Sequence, residues 1–342
     1  MALEGRHILS INQFSRQELE ELRQIGQRLE PVAQKHYHCT ILEGALMANL
    51  FFEASTRTRM SFHTAFSRLG GAVCDTTGFS FSSLSKGESL ADTARVVAGY
   101  ADVIVMRHPE TGSVAEFAAN INVPVINAGD GTGEHPSQAL LDYYTIEKEF
   151  AALGKRIDGM TIAMVGDLQH GRTIQSLARL LAKFNDVHFK FIAPDQLRAP
   201  TALLEELKKQ HRVEEFDSVA TGLTGVDVIY ATRIQRERIV NGEQMAGYGE
   251  ELRLNRDHIQ RYAPRDAIIL HPLPRDSRAG AFDLGTDLDH LPQLAIFRQA
   301  DNGVTMRMAL FASVLGLTEN LEDYFVKRRG FRPASPGRRL EK

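Results

Sequence analysis

The sequence predicts an α/β protein of two doubly wound domains, each a mainly parallel sheet covered by helices. Three observations carry that expectation. Short apolar runs alternate with longer helical patterns along most of the 342 residues, and strand–helix–strand succession requires parallel pairing. The length suits two cores of ordinary size, and 43% apolar with 24% charged residues is the balance of a globular chain. The stretch Ala151 to Gly159, with two glycines and mixed charge, separates a helical pattern from a new strand and marks the expected domain boundary.

Each element follows from its pattern. An amphipathic segment around Arg16 to Leu29 reads as the opening helix. Strands are expected at Ala48 to Phe52, Val103 to Met106, Val123 to Asn127, Thr161 to Val165, His188 to Ile192, Val226 to Tyr230 and Ala267 to Leu270. The first of them runs into Ser55-Thr56-Arg57-Thr58-Arg59, which opens a helix whose apolar face is expected to hold Met60, Phe62, Ala65, Phe66 and Leu69. Thr76 to Ser89, rich in serine and glycine around Lys86, reads as a loop, either a mobile cover over a site or an ordinary surface loop. Beyond Leu317 the pattern fades into a basic tail punctuated by Pro333 and Pro336, expected to be a flexible terminus, with contact to an acidic partner as the lesser alternative. No internal repeat is evident.

Composition excludes several classes. A net charge of -3 gives no overall attraction to nucleic acid or to a membrane surface, so clustered cations need a local purpose. Cys39 and Cys74 are too few for a disulfide framework or a four-thiolate metal site, which fits a reducing compartment. The first residues lack the apolar core of a signal peptide, and no run reaches the roughly 18 residues of a membrane span, so the expected location is cytoplasmic. No Gly-x-Gly-x-x-Gly follows a strand and no Gly-x-x-x-x-Gly-Lys-Ser/Thr occurs. His36-Tyr37-His38-Cys39 lacks a second ligand pair, so neither metal nor cofactor is expected.

Open parallel sheets bind ligands beyond the carboxyl ends of their strands. Here those positions are mostly cationic: Arg57 and Arg59; Arg107-His108-Pro109; His135-Pro136-Ser137-Gln138 after a glycine-rich turn; Arg172-Thr173; Arg233-Ile234-Gln235; and His271-Pro272-Leu273-Pro274-Arg275. Singly, each arginine is more often structural or solvated. Their joint placement points to a ligand with several negative groups. At Ser55 to Arg59 a helix start adds unpaired N–H groups to hydroxyls and guanidinium groups, the chemistry of a phosphate site.

In order and spacing, Phe51-Phe52-Glu53-Ala54-Ser55-Thr56-Arg57-Thr58-Arg59, Lys86-Gly87-Glu88, Arg107-His108-Pro109, His135-Pro136-Ser137-Gln138, Gly171-Arg172-Thr173, Thr232-Arg233-Ile234-Gln235 and His271-Pro272-Leu273-Pro274-Arg275 resemble the catalytic chains of aspartate carbamoyltransferases from about residue 7 to residue 317. The resemblance implies transfer of a carbamoyl group from carbamoyl phosphate to L-aspartate, the first committed step of pyrimidine synthesis. It implies a carbamoyl phosphate-binding domain over 1–150, rejoined by a returning helix at about 298–317, an aspartate-binding domain over 151–297, a basic extension over 318–342, and an active site in the cleft between the domains. Ser55, Thr56, Arg57, Thr58 and Arg107 would hold the phosphate, with His135 and Thr58 on the carbonyl oxygen. Gln138 and the carbonyls of Leu273 and Pro274 would hold the carbamoyl nitrogen. Arg172, Arg233 and Gln235 would hold aspartate, with Lys86 reaching in from a neighbouring subunit of a homotrimer and Glu88 ordering its loop. Regulatory or dihydroorotase-like partner chains are left open.

The chain departs from the family pattern at Ala54, usually proline, at His63, commonly glutamate, and at Glu134, commonly glutamine. The segment Asp276 to Thr286 also looks longer than usual, and the loop before Lys86 one residue shorter. Glu134 could favour a protonated His135 or point to solvent. Two rival readings differ in kind. An ornithine-type acceptor would suit a His-Cys-Leu-Pro segment, which His271-Pro272-Leu273-Pro274 replaces, and Arg233 would repel an extra ammonium group. A non-catalytic binding subunit is disfavoured by the presence of Arg57, Lys86 and His135 together.

Overall fold

The computed structural model describes residues 3–78, 86–233, 252–276 and 283–327. In chain order the elements are α1 (Arg16–Ala33), β1 (Tyr37–Cys39), β2 (Leu46–Phe51), α2 (Thr56–Arg68), β3 (Ala72–Thr77), α3 (Leu90–Ala98), β4 (Val103–His108), α4 (Ser113–Ala118), β5 (Val125–Asp130) and α5 (Pro136–Leu153). There follow β6 (Thr161–Val165), α6 (Arg172–Leu181), β7 (His188–Ile192), α7 (Thr201–Lys208), β8 (Arg212–Phe216), α8 (Val219–Gly222), β9 (Val228–Ala231), α9 (Arg256–Tyr262), β10 (Ile268–Leu270), α10 (Ile296–Val314) and β11 (Phe325–Lys327). Contacts gather them into two compact units, Met1–Ser137 with Asn302–Lys342, and Gln138–Asp301.

In the first unit the sheet runs β3-β2-β4-β5, every pairing parallel. Residue Ile8 bridges Ile126 in parallel, so the amino-terminal segment lies along β5. Alternate residues of each strand face opposite ways. Ala48, Leu50, Ile104 and Met106 pack with Ala94 of α3 and with Val114 and Phe117 of α4. On α2 the buried stripe is Thr58, Phe62, Ala65 and Phe66, with Phe62 and Phe66 edge-on to Phe311 of α10 at centroid distances of 5.9 and 5.0 Å. Met60, expected on that face, is 58% exposed: at 3.6 residues per turn it lies about 200° from Phe62.

The second unit holds a five-stranded parallel sheet, β10-β9-β6-β7-β8. Its central strands are buried on both faces, and Ala163, Val165, Ile229, Ala231 and Ile269 join Val219, Ile259, Leu284 and Ile296 in one core.

Several boundaries differ from the sequence reading. β3 was not anticipated, and its last residues, Thr76 and Thr77, which pair with β2, fall at the start of the expected loop. β8 was not anticipated, because an edge strand reading Arg-Val-Glu-Glu-Phe carries charge where a central strand carries valine. β5 starts at Val125 rather than Val123 and continues through the turn-like Ala128-Gly129-Asp130, which pairs with β4 across a register shift between Met106 and His108. Residues 151–153 of the expected linker belong to α5. Within the expected flexible extension, Leu321–Tyr324 form a helical turn and β11 pairs antiparallel with β1.

The two faces of α2 predict different costs. Phe66→Ala should destabilise the protein by about 3–5 kcal/mol, whereas Met60→Ala should stay within about 0.5 kcal/mol. Urea unfolding of both variants checks this, and equal losses would contradict the assigned helix face.

Candidate active site

Each sheet reverses its strand order once. In the first unit β3 lies on one side of β2 and β4 on the other; in the second, β7 lies on one side of β6 and β9 on the other. At such a reversal the connections leave in opposite directions and open a crevice at the carboxyl ends of the two strands. Ser55 to Thr58 and Arg107 flank the first reversal and Arg172 and Arg233 the second, whereas Lys86, His135, Gln138, Leu273 and Pro274 follow β3, β5 and β10.

In the first unit Phe51 pairs with Arg107, and the Phe52 N–H donates to the Arg107 carbonyl over 2.9 Å, which sets the start of α2 beside the end of β4. Ser55 occupies the N-cap of α2 with extended backbone (φ -160°, ψ 95°), yet its hydroxyl makes no capping bond. Ser15 and Ser89, in the same position on α1 and α3, accept from Glu18 N and Asp92 N. The Ser55 hydroxyl is thus held off the helix end that it would ordinarily close. Thr56 and Arg57 are exposed on the first turn and Thr58 is buried. Arg107 is buried, with its guanidinium 2.7 Å from a Glu53 oxygen and donating to the Ala128 carbonyl over 3.2 Å. His135 is buried just before α5, its Nδ1 3.4 Å from the Ser137 hydroxyl. The turn before it requires a glycine: a Cβ on Gly131 (φ +45°) would stand 2.4 Å from the Thr111 hydroxyl.

Glu134 points neither at His135 nor to open solvent. Its carboxylate accepts from the Ser10 hydroxyl at 2.6 Å and from the Ile11 N–H at 2.8 Å. His63 meets Asp75, which also accepts from the Asn49 amide. Lys86 is exposed, and Glu88 accepts from the Thr93 hydroxyl of α3 at 2.9 Å.

In the second unit Arg172 is buried at the first position of α6. A Cβ on the preceding Gly171 would stand 2.6 Å from the Asp167 carbonyl oxygen, so this helix start also requires glycine. The Thr232 N–H donates to the Val165 carbonyl over 2.9 Å and carries Arg233 alongside the end of β6. Gln235 lies outside the described residues. Beyond β10, His271 accepts from the Leu273 N–H at Nδ1 over 2.8 Å, while its Nε2 meets buried Asp283 at 2.8 Å. Leu273 has φ 55°, and the Leu273–Pro274 peptide is cis. Gln138 donates to Asp142 over 2.8 Å.

Sequence reading missed Glu53, Asp142, Tyr230, Asp283 and Gln299 as parts of these two sets. Asp142 alone had a local signal, standing four residues after Gln138 on a helix. The first set supplies cations, hydroxyls and imidazole suited to an anion, and the second supplies cations with amide and carbonyl oxygens suited to a hydrogen-bond donor.

Two parallel α/β units, each with cationic and hydrogen-bonding residues beyond its own strand reversal, have the architecture of the open-sheet enzymes that bind anionic ligands. Residues 6–148 match the aspartate/ornithine carbamoyltransferase family in its carbamoyl-P binding domain and residues 158–314 in its Asp/Orn binding domain, and the chain belongs to that family. It is 70% identical over 334 residues to the aspartate carbamoyltransferase catalytic subunit of Dichelobacter nodosus, with 97% of this chain and 96% of that one covered. To the corresponding subunit of Cellvibrio japonicus it is 51% identical, covering 97% and 98%. The crystal structure of aspartate transcarbamoylase from Trypanosoma cruzi in complex with carbamoyl aspartate and phosphate superposes with a TM-score of 0.82 at 37% identity, covering 92% of this chain and 97% of that one. Within the family, the chain stands among the aspartate carbamoyltransferase catalytic subunits.

Two histidines beside the first set give its stability a pH dependence. His7 and His108 accept the Val125 and Glu110 N–H groups at Nδ1, each over 3.1 Å, so both rings are neutral. Burial holds both below the ordinary value of 6.5. As pH falls through that value the unfolded chain takes up protons that the folded chain refuses, so their contribution is present above it and lost below it. His108→Gln, whose amide oxygen can still accept the Glu110 N–H, should flatten the fall in stability between about pH 7 and about pH 5. Urea unfolding across that range checks this, and an unchanged slope would remove His108 as its source.

Proposed function

We propose that the protein transfers the carbamoyl group from carbamoyl phosphate to the amine of L-aspartate, giving N-carbamoyl-L-aspartate and phosphate, the committed step of pyrimidine synthesis. The observation that carries this reading is the uncapped Ser55 hydroxyl at the start of α2, just beyond the strand end where Phe51 pairs with buried Arg107. Hydroxyls, N–H groups and guanidinium groups converging there suit a dianionic phosphate.

Both substrates are anions and repel each other, so cations must offset the repulsion before the amine can reach the carbonyl carbon. On this reading Ser55, Thr56, Arg57, Thr58 and Arg107 of the 1–150 domain hold the phosphate. Attack by the amine moves negative charge onto the carbonyl oxygen, where His135 and Thr58 donate. Breakage of the carbon–oxygen bond to phosphate then moves charge to the leaving group, where the arginines stand, and the departing phosphate takes the proton that the amine loses. Gln138 and the Leu273 and Pro274 carbonyls accept from the carbamoyl nitrogen. Arg172, Arg233 and Gln235 of the 151–297 domain hold the aspartate carboxylates. No step requires a metal or a covalent intermediate.

Lys86 completes the site from a neighbouring subunit of a homotrimer. Its exposure, next to a helix whose Val96 and following Tyr100 are exposed apolar groups, supports an arrangement in which that face meets another copy. The absence of any membrane-crossing helix among the described residues is compatible with action in the cytoplasm.

Arg57→Ala should lower carbamoyl aspartate formation by about a hundredfold or more with an unchanged circular dichroism spectrum. A near-normal rate would overturn the assignment. Light scattering should give three times the 38.1 kDa chain mass, and a monomer that retains full activity would remove Lys86 from the site.

A further inference from the structure

We propose that Asp142 is a positioning residue that sets donor selectivity at the proposed carbamoyl site by fixing which end of the Gln138 amide faces the substrate. The inference rests on the functional reading above and adds a residue to it.

Asp142 is fully buried on α5, one turn after Gln138. Its Oδ1 accepts from Gln138 Nε2 at 2.8 Å and from Gln299 Nε2 at 2.6 Å, and its Oδ2 accepts from the Tyr230 hydroxyl at 2.7 Å. Three donors on one side chain are what an ionised carboxylate takes, since it can only accept. The Tyr230 hydroxyl keeps its proton, because burial and the adjacent Asp142 charge both push its pKa well above the ordinary value.

A carboxylate cannot share a hydrogen bond with an amide oxygen. Gln138 must therefore turn its NH2 toward Asp142, which leaves its Oε1 for whatever lies on the other side. The same logic runs through Gln299, whose Nε2 is committed to Asp142 and whose Oε1 accepts the His271 N–H at 2.9 Å. His271 opens the segment that supplies the Leu273 and Pro274 carbonyls, and its Nδ1 accepts the Leu273 N–H. One buried anion thus fixes the direction of the Gln138 amide and, through Gln299, anchors the loop of carbonyls. Every group so oriented is an acceptor.

A cluster of acceptors distinguishes donors of similar shape. The NH2 of carbamoyl phosphate can donate to it, while the methyl of acetyl phosphate cannot and leaves buried acceptors unpaired. If Asp142 is removed, Gln138 can turn over and present NH2 as easily as oxygen, and the discrimination goes. A merely structural Asp142 would instead weaken both ligands alike or lower stability alone.

The test measures the KM for carbamoyl phosphate and the Ki of acetyl phosphate as its competitor, in the full-length enzyme and in Asp142→Ala. The KM should rise about tenfold or more while the Ki moves less than about threefold, so that the Ki/KM ratio collapses. Should Asp142→Ala yield no folded enzyme, Asp142→Ser is read by the same ratio, because a hydroxyl can donate or accept and so frees the amide. A ratio unchanged in the folded variant, or a parallel rise in both constants, overturns the inference while leaving the functional reading intact. A wild-type enzyme that forms no carbamoyl aspartate overturns that reading, and the inference with it.

Discussion

The reversal of strand order in each sheet is the constraint on which the other features depend. A parallel strand must be followed by a crossover, and where successive crossovers leave in opposite directions no helix closes the carboxyl ends of the two strands. In this chain the reversals fall between β2 and β4 and between β6 and β9. Beyond β2, β6 and β9 lie Ser55 to Arg59, Asp167 to Arg172 and Arg233, while Arg107 and His108 are the last two residues of β4. Chemistry collects there because backbone pairing leaves those ends open, and the helix starts at Thr56 and Arg172 direct N–H groups to them.

Such a site places charge where the core would otherwise be apolar, and its arrangement follows from the cost of doing so. A buried guanidinium without partners is strongly destabilising. Arg107 meets Glu53 and the Ala128 carbonyl. Asp167, fully buried, accepts both the His170 N–H and its ring nitrogen at 3.0 and 3.1 Å. Asp283 accepts from His271, Asp276 N and Leu284 N. Each carboxylate fixes a loop beyond a strand end, so the polar groups that shape the site are the same ones that give its loops a single conformation.

How much of this was legible in the primary structure depended on burial and on sequence distance. β6 and β7 were read to the residue, because central strands covered on both faces are uninterrupted apolar runs. β3 and β8 were not, since edge strands carry polar residues and resemble loops. The residues beyond the strands were legible because their chemistry is unusual for surface turns. Their supporting partners were not: Tyr230 and Gln299 stand 88 and 157 residues from Asp142, and only folding brings them together. Ser55 shows the same limit in another form, since a serine before a helix reads as a cap and only the structure shows that its hydroxyl does not cap.

Glu134 illustrates how a departure from a family pattern can act through backbone rather than through charge. A carboxylate beside a histidine invites an electrostatic reading. Both its oxygens, however, are engaged by Ser10 and Ile11, and its own N–H donates to Asp130 over 3.0 Å. The amino-terminal segment is itself fastened along β5, where the Ile8 N–H donates to the Val125 carbonyl and the Asn127 N–H to the Ile8 carbonyl, each over 2.8 Å. Glu134 thus ties that segment to the turn that carries His135, with two charge-assisted bonds of a kind stronger than neutral ones. What this residue controls is the position of the His135 backbone at the mouth of α5, and a neutral side chain there would have to hold that position with a weaker grip.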